Sequence, residues 1–402
     1  MNKYMEHLKI SRQLEKNYKL DKTITKHERE IYTGLLKFIN DGNKYYKKQL
    51  REGRVEKKLK TLLVDGLYKV NYRLPRGQFL PDKIKVNIEN RLTHILSYRT
   101  MIGKYKVTIE FGILDENDLN NLDKFDKYAE YIFNWIYVCG IYAKKSCVST
   151  LRIELYLTDF KKELPENRTK ILGPLEINTG YTYRCAVNGE IVLYRKEEWK
   201  KVFIHETMHT FGLDMATHDK YIKEQLHKHF PIKSDFLLSE AYVEYWARML
   251  NVLMHNYYKY GGSVKLALPE IKHGLELEKY YSLYQASKVL DYMGLRYEDI
   301  ICHSEKNRCL RQNLYREKTN VFSYYVLTSI LFYDYKSILI WCKKNNENIL
   351  RFRSTKSTLT SIIELLIDQA KNKRFCSDIN KALKLLNSKD KNLRMSILHD
   401  NI

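Results

Sequence analysis

The chain has 402 residues, of which 44% are hydrophobic, 29% are charged and only six are proline. This composition excludes disordered and fibrous classes of protein, and the length is sufficient for one large or two modest hydrophobic cores. The formal net charge of +22 favours contact with a polyanion such as nucleic acid, an anionic membrane surface or an acidic protein, whereas the alternative is a diffuse basic surface that only maintains solubility.

The first predicted elements are helical. Residues 1–70 are basic and have helical periodicity, which indicates either a regulatory or polyanion-binding region or, as we favour, a helical layer packed on the core. From residue 105 the pattern becomes regular. Alternating apolar residues predict strands at 105–113 and 150–157, and the apolar face between them predicts a helix at 117–142.

A third strand is predicted at 176–184 and a fourth at 190–194, with Asn188-Gly189 as a hairpin turn between them. A further helix begins near Glu197. Beyond Gly212 only helical patterns occur, at 239–257, 275–290, 320–333, 336–344 and 357–370. We therefore predict an α+β fold in three segments: a basic helical region at 1–82, a segment with the mixed small β-sheet at 83–215, and a helical segment at 216–402.

The seven cysteines are odd in number, widely spaced and without a Cys-x-x-Cys motif. Such a pattern is typical of reduced thiols in a cytosol-like compartment. The N-terminus has no apolar signal core, and the longest apolar run, at 321–333, is too short to cross a bilayer. These features predict a soluble, intracellular protein with no membrane span.

One motif carries chemistry: His205-Glu206-Thr207-Met208-His209 within an otherwise uncharged run. Residues four apart on a helix project from the same face, so His205 and His209 are placed to bind one metal ion through their imidazoles. Glu206 lies at the edge of that face and can act as a general base without being a ligand. The alternative is a pair of core histidines on an ordinary buried helix.

A catalytic zinc site usually has three protein ligands. Six residues after His209 the chain has Met215, a poor zinc ligand, while Asp214 is one residue early and His218 three residues late for that place.

A better third ligand stands on a later apolar helix, where Glu240 and Glu244 are four residues apart. Two carboxylates on an apolar helix are costly to bury unless a cation neutralises them. We therefore expect Glu240 to bind zinc and Glu244 to accept the second ring N–H of a liganding histidine. The alternative is an exposed acidic stripe on a helix that packs against another element.

This combination resembles the gluzincins, the thermolysin-like zinc metallopeptidases, in which a second helix carries Glu-x-x-x-Asp/Glu after the His-Glu-x-x-His helix. The resemblance covers about residues 100–260, and Glu244 stands where many members have Asp. The active-site neighbourhood is also similar to metallopeptidases encoded by large DNA viruses. The gluzincin resemblance implies a zincin-like fold, in which an upper lobe holds the sheet and the active-site helix. A mostly helical lower lobe would carry the third ligand.

The resemblance also implies that the strand at 176–184 pairs with extended substrate, although its Tyr181 and Tyr183 are expected to serve in packing. A second oxyanion donor is usual in such sites, and four residues of the helical segment are candidates: Tyr324, Tyr325, His273 and His303.

The function predicted is that of a zinc-dependent endopeptidase, in which Glu206 assists the attack of water on a peptide carbonyl. Its partner would be a protein or peptide substrate. Two alternatives remain: a zinc amidase or deacylase that acts on a non-peptide bond, and a catalytically silent basic protein, associated with nucleic acid or a virion, that keeps a peptidase fold.

Overall fold

The computed structural model describes residues 2–65, 68, 69, 72, 74, 77, 79–215 and 219–398. The chain divides into a sheet unit, Thr33–Lys161 with Asn178–Leu213, and a helical unit, Met1–Tyr32 with Lys162–Ile177 and Asp214–Ile402. The described residues contain 15 α-helices and a mixed six-stranded sheet, and 56% of these residues are helical. The predicted mixture of α and β structure is confirmed, whereas the division into segments 1–82, 83–215 and 216–402 stays a prediction.

The strands of the described residues all belong to the sheet unit. They are β1 (Glu56–Thr61), β2 (Val64–Asp65), β3 (Tyr68–Lys69), β4 (His94–Ile102), β5 (Tyr105–Ile113), β6 (Thr150–Thr158), β7 (Gly180–Thr182) and β8 (Asn188–Arg195). The large sheet has the order β1-β4-β5-β6-β8-β7, and β2 forms a two-stranded sheet with β3. Strands β5, β6 and β8 are parallel to one another, whereas β7 is antiparallel to β8 and lies at the edge.

The helices are given in chain order. They are α1 (Asn2–Asn17), α2 (Lys26–Arg51), α3 (Asp82–Arg91), α4 (Asp123–Tyr142), α5 (Pro174–Ile177), α6 (Trp199–Thr210), α7 (Asp219–His227), α8 (Leu238–Lys259), α9 (Val264–Tyr292), α10 (Tyr297–Ile301), α11 (Glu305–Leu314), α12 (Thr328–Tyr333), α13 (Tyr335–Asn345), α14 (Lys356–Ala370) and α15 (Lys373–Lys384). A 3₁₀ turn at Glu116–Asn120 precedes α4, and a π-helical turn at Phe322–Leu327 precedes α12.

Alternating side chains give the sheet one apolar face. In β5 the residues Val107, Ile109 and Phe111 are fully buried, and Ile153 and Leu155 continue that face on β6. Because successive strand residues point to opposite sides, burying one row leaves the other row free to be polar. Helices α4 and α6 contribute the apolar side chains that close this core, including Phe125 from α4 and Phe203 from α6.

The helical unit has its own core, built around α8, α9 and α12. Tyr18, directly after α1, stacks on Tyr280 of α9 with ring centroids 4.1 Å apart. Its hydroxyl also donates to the carbonyl of Asp378 in α15 at 2.9 Å. Ile10 and Leu14 of α1 are buried like Tyr18, so the second half of α1 is packed in this unit.

The strand predictions at 105–113, 150–157 and 190–194 are confirmed by β5, β6 and β8. The helix predicted at 117–142 begins later, at Asp123, since the Asp115 side chain accepts from the backbone N–H of Asn117 and caps a 3₁₀ turn first. Helix α6 begins two residues after Glu197, following Glu198 in a left-handed conformation with φ 61°.

The strand predicted at 176–184 is largely wrong. Its first residues lie in the short helix α5, where the Glu176 carboxylate accepts from the N–H of Gly173 at 3.1 Å, and only Gly180–Thr182 form a strand. The predicted Asn188-Gly189 turn is also wrong. Both residues begin β8 and pair with Thr150 and Leu151. Glycine is favoured at position 189 because any larger residue would crowd the neighbouring strand: a Cβ there would lie 3.1 Å from the Leu151 side chain.

The predicted helical region 1–82 contains β1, which sequence periodicity does not reveal because all six of its side chains are exposed. The prediction of reduced cysteines is wrong for Cys147 and Cys185, which form a disulfide with Cα atoms 4.6 Å apart. That bond removes the argument by which the cysteine pattern indicated a reducing compartment. Among the described residues, no helix has the length and apolarity required to cross a bilayer.

Candidate metal centre

Helix α6 is buried on every side, with all twelve residues inside the protein. His205 is 5% exposed and His209 6% exposed. The helix ends where Gly212 adopts φ +62°, a left-handed conformation that commonly closes the end of a helix. The N–H groups of Gly212 and Leu213 donate back to the carbonyls of His209 and Met208 at 3.1 and 2.9 Å. The last turn, which carries His209, is therefore closed by backbone hydrogen bonds.

Two hydroxyl groups fix α6 within the sheet unit. Thr207 accepts from the indole N–H of Trp135 on α4 at 2.7 Å and donates to the carbonyl of Ile204, also at 2.7 Å. The hydroxyl oxygens of Thr210 and Thr182 are 2.8 Å apart, which ties α6 to the edge strand β7. Each contact satisfies a buried polar group, so the rotation of α6 about its axis is determined.

The imidazole rings of His205 and His209 have centroids 5.0 Å apart with an interplanar angle of 68°. Glu240 lies in the first turn of α8 and is half-buried. One ligand atom from each of His205, His209 and Glu240 lies within 4.8 Å of the other two. This group of two imidazoles and one carboxylate could hold a metal ion, so the structure brings the three predicted ligands together.

The donor set suits a divalent transition metal. Neutral imidazole and carboxylate are borderline and hard ligands of the kind that zinc takes in catalytic sites, where three protein ligands leave one position open. Met215, at the place of a third histidine, is fully buried and apolar. His218 lies outside the described residues.

Glu206, the predicted general base, is 8% exposed on α6. Its carboxylate influences Tyr194. Burial holds the pKa of the Tyr194 hydroxyl well above its ordinary value, the nearby Arg195 lowers that pKa in part, and Glu206 raises it further. The Tyr194 hydroxyl therefore stays protonated, and it donates to the carbonyl of Phe79 at 3.2 Å.

Glu244, predicted to support a ligand, is 1% exposed on α8. Its Oε1 accepts from Nε of Arg248 at 3.1 Å, and the Arg248 side chain is also fully buried. A second guanidinium nitrogen donates to the carbonyl of Tyr324 in the π-helical turn at 3.3 Å. Sequence reasoning missed Arg248, although its position four residues after Glu244 on an apolar helix was a signal for a buried ion pair.

The four candidates for an oxyanion donor differ in their surroundings. Tyr325 is fully buried and donates its hydroxyl to the carbonyl of Leu393 at 2.6 Å. His273 lies 3.2 Å from the carboxylate of Glu15, and His303 is exposed. Tyr324 is half-buried in the π-helical turn, and its backbone is bound by Arg248. A π-helical turn within a helix is frequently found at a functional site.

Comparison with known proteins gives no match among family models, curated proteins or solved structures.

Proposed function

We propose that the chain is a zinc-dependent endopeptidase of the gluzincin type. The observation that carries the proposal is the convergence of ligand atoms from His205, His209 and Glu240 to within 4.8 Å of one another. Glu206, directly beside the first of these ligands in the sequence, adds a group suited to proton transfer. The proposal extends to fold: the edge strand β7, the helix α6 and the Glu-bearing helix α8 follow one another in the order expected of a zincin.

In the proposed reaction, zinc would supply the Lewis acidity that lowers the pKa of water to about 7 and polarises a carbonyl. Glu206 accepts the proton of the attacking water and later donates it to the leaving amine. Glu206 is only 8% exposed, which limits competition from bulk water for its carboxylate.

Two further groups are assigned supporting roles. Glu244 would accept the outer N–H of a liganding imidazole, with Arg248 3.1 Å away orienting the carboxylate. Tyr324 is the oxyanion candidate we favour, because it is half-buried in the π-helical turn, a feature frequently found at functional sites. The outer edge of β7 would accept the extended substrate by strand addition.

Metal analysis of the purified protein tests the proposal. We expect the wild type to retain one zinc ion per chain, and His205→Ala, His209→Ala and Glu240→Ala each to lose it. Glu224→Ala, an exposed carboxylate on α7, is the matched control and should retain the metal. Retention of zinc by all three ligand variants, or its absence from the wild type, would overturn the assignment.

A peptide-library assay on the metal-loaded wild type then tests the reaction. Cleavage of internal peptide bonds supports an endopeptidase. Hydrolysis of acylated amines with no peptide cleaved would replace it by an amidase or deacylase. Salt-sensitive binding to DNA with neither hydrolysis would instead support a silent basic protein.

A further inference from the structure

The disulfide between Cys147 and Cys185 lies beside the proposed metal centre. Cys147 is in the loop that follows α4, and Cys185 is in the turn that joins β7 to β8, 38 residues later. The reaction proposed above makes no use of either residue. Both residues nevertheless lie next to the end of α6, so the bond can affect how His209 is held.

Both loops that the disulfide joins are hydrogen-bonded to the end of α6. The N–H of Cys185 donates to the carbonyl of His209 at 3.1 Å, and the N–H of Lys144 donates to the carbonyl of Phe211, also at 3.1 Å. A Cβ at Gly212 would lie 2.7 Å from Sγ of Cys147. The sulfur of Cys147 therefore lies next to Gly212, in the turn that ends the ligand helix.

The backbone at both ends of the bond is strained. Cys185 has φ +52°, and Val148, which follows Cys147, also has φ +52°. A β-branched residue rarely adopts this left-handed region, because its side chain crowds the backbone. Such conformations persist only where the surroundings enforce them, and the covalent cross-link is one such constraint on these two loops.

We propose that the Cys147–Cys185 bond is a redox control on the metal centre, which rests on the proposed function of the site. Oxidised, it holds the loops at residues 143–149 and 183–187 against the end of α6 and keeps His209 aligned. Reduction lets Val148 and Cys185 leave the left-handed region, so the contacts to the carbonyls of His209 and Phe211 loosen and the affinity for the metal falls.

The reductant would be a dithiol. Cys185 is half-buried, whereas Cys147 is 1% exposed, so attack falls on the sulfur of Cys185. One thiolate of the reductant forms a mixed disulfide with Cys185, and Cys147 departs as a thiolate that takes up a proton. The second thiol of the reductant then displaces Cys185. Two electrons and two protons pass to the protein, and the reductant ends as a disulfide.

The test measures zinc affinity by competition with a chromophoric chelator, in the full chain before and after reduction by a phosphine. A phosphine is chosen since dithiols themselves bind zinc, and water supplies the oxygen of the phosphine oxide formed. We expect affinity to fall about 10- to 100-fold on reduction, the range seen when a group that orients a ligand is removed. Reoxidation should restore it.

Two variants separate the disulfide from other thiol effects. Cys147→Ser/Cys185→Ser should have the low affinity with or without phosphine. Cys302→Ser/Cys309→Ser, which removes two exposed free cysteines, should respond to phosphine like the wild type. If the first variant fails to fold, the reversible change in the wild type still decides the matter.

The outcomes distinguish this inference from the proposed function. Equal zinc affinity in the oxidised and reduced wild type, with binding still abolished by His205→Ala, overturns the redox control and leaves the metal centre intact. No zinc binding in the oxidised wild type overturns the proposed function, and the redox control with it.

Discussion

Arg248 lies 3.1 Å from the carboxylate of Glu244, and neither side chain is more than 1% exposed. A buried charge without its partner is unfavourable, because the low-dielectric interior replaces none of the lost hydration. Arg248 therefore holds two neighbouring features at once: the carboxylate of Glu244 on α8 and, through the carbonyl of Tyr324, the π-helical turn.

Replacing Arg248 by methionine should lower the free energy of unfolding by about 3–5 kcal/mol, since Glu244 loses its buried guanidinium partner. The measurement is urea denaturation. The double variant Arg248→Met/Glu244→Gln should recover part of this loss. Arg308→Met, which removes an exposed ion pair with Glu305, is the control and should cost less than about 1 kcal/mol. A cost as small for Arg248 as for Arg308 would contradict the role assigned to the buried pair.

The end of α6 gives a second prediction. Gly212 and Gly53 have nearly the same φ, +62° and +65°, but a Cβ at Gly53 meets nothing within 4 Å, whereas a Cβ at Gly212 meets the sulfur of Cys147 at 2.7 Å. Gly53→Ala should therefore cost about 1–2 kcal/mol, the penalty of the left-handed backbone. Gly212→Ala should cost a further 1–3 kcal/mol or so, from overpacking. If urea denaturation gives the same loss of unfolding free energy for Gly212→Ala as for Gly53→Ala, the Cys147 sulfur moves aside without cost.

A third prediction concerns pH. Burial raises the pKa of the Glu317 carboxyl to about 7, against an ordinary value of 4.5. Between these values the folded state keeps a proton that the unfolded state releases, so the free energy of unfolding falls as pH rises from about 4.5 to 7. Glu317→Gln removes the cost of ionisation.

The Glu317→Gln variant should thus be more stable than the wild type at pH 8, by roughly 1–3 kcal/mol, and should show no such gain at pH 4. Glu305→Gln, at a side chain that is 78% exposed, should have no effect at either pH. Denaturation curves at the two pH values provide the measurement. A gain for Glu317→Gln that is the same at both pH values would mean that the charge is not its cause.

The sequence predicted the structure correctly where the spacing of residues within a single helix or strand determined it. Spacing alone placed His205 and His209 on one face of a helix, and alternation located β5 and β6 to within a residue. It failed where the cause was non-local. Asn188-Gly189 has the composition of a turn, yet it forms the first pairs of β8 with β6.

The disulfide shows the same limit, because the pairing of Cys147 with Cys185 depends on two loops that meet only in the folded chain. The sequence pattern did not predict strand β1, for a different reason. All six of its side chains are exposed, and three of them are lysines, so no apolar period marks it. Charged residues on an edge strand are a known device against unwanted pairing, and composition alone cannot separate that device from a basic helix.

The decisive prediction for the reaction concerns Glu206. Glu206→Gln keeps the size and the hydrogen-bonding oxygen of the side chain but cannot accept a proton from water. Because neither His205, His209 nor Glu240 is altered, zinc content should be unchanged, while peptide cleavage should fall about 10²- to 10⁴-fold, the usual contribution of a general base. Glu224→Gln on α7 is the control and should retain full activity. Zinc analysis and initial rates on the same preparation separate loss of metal from loss of proton transfer. Full activity in the metal-loaded Glu206→Gln protein would exclude Glu206 as the base and would require another proton acceptor beside the three ligands.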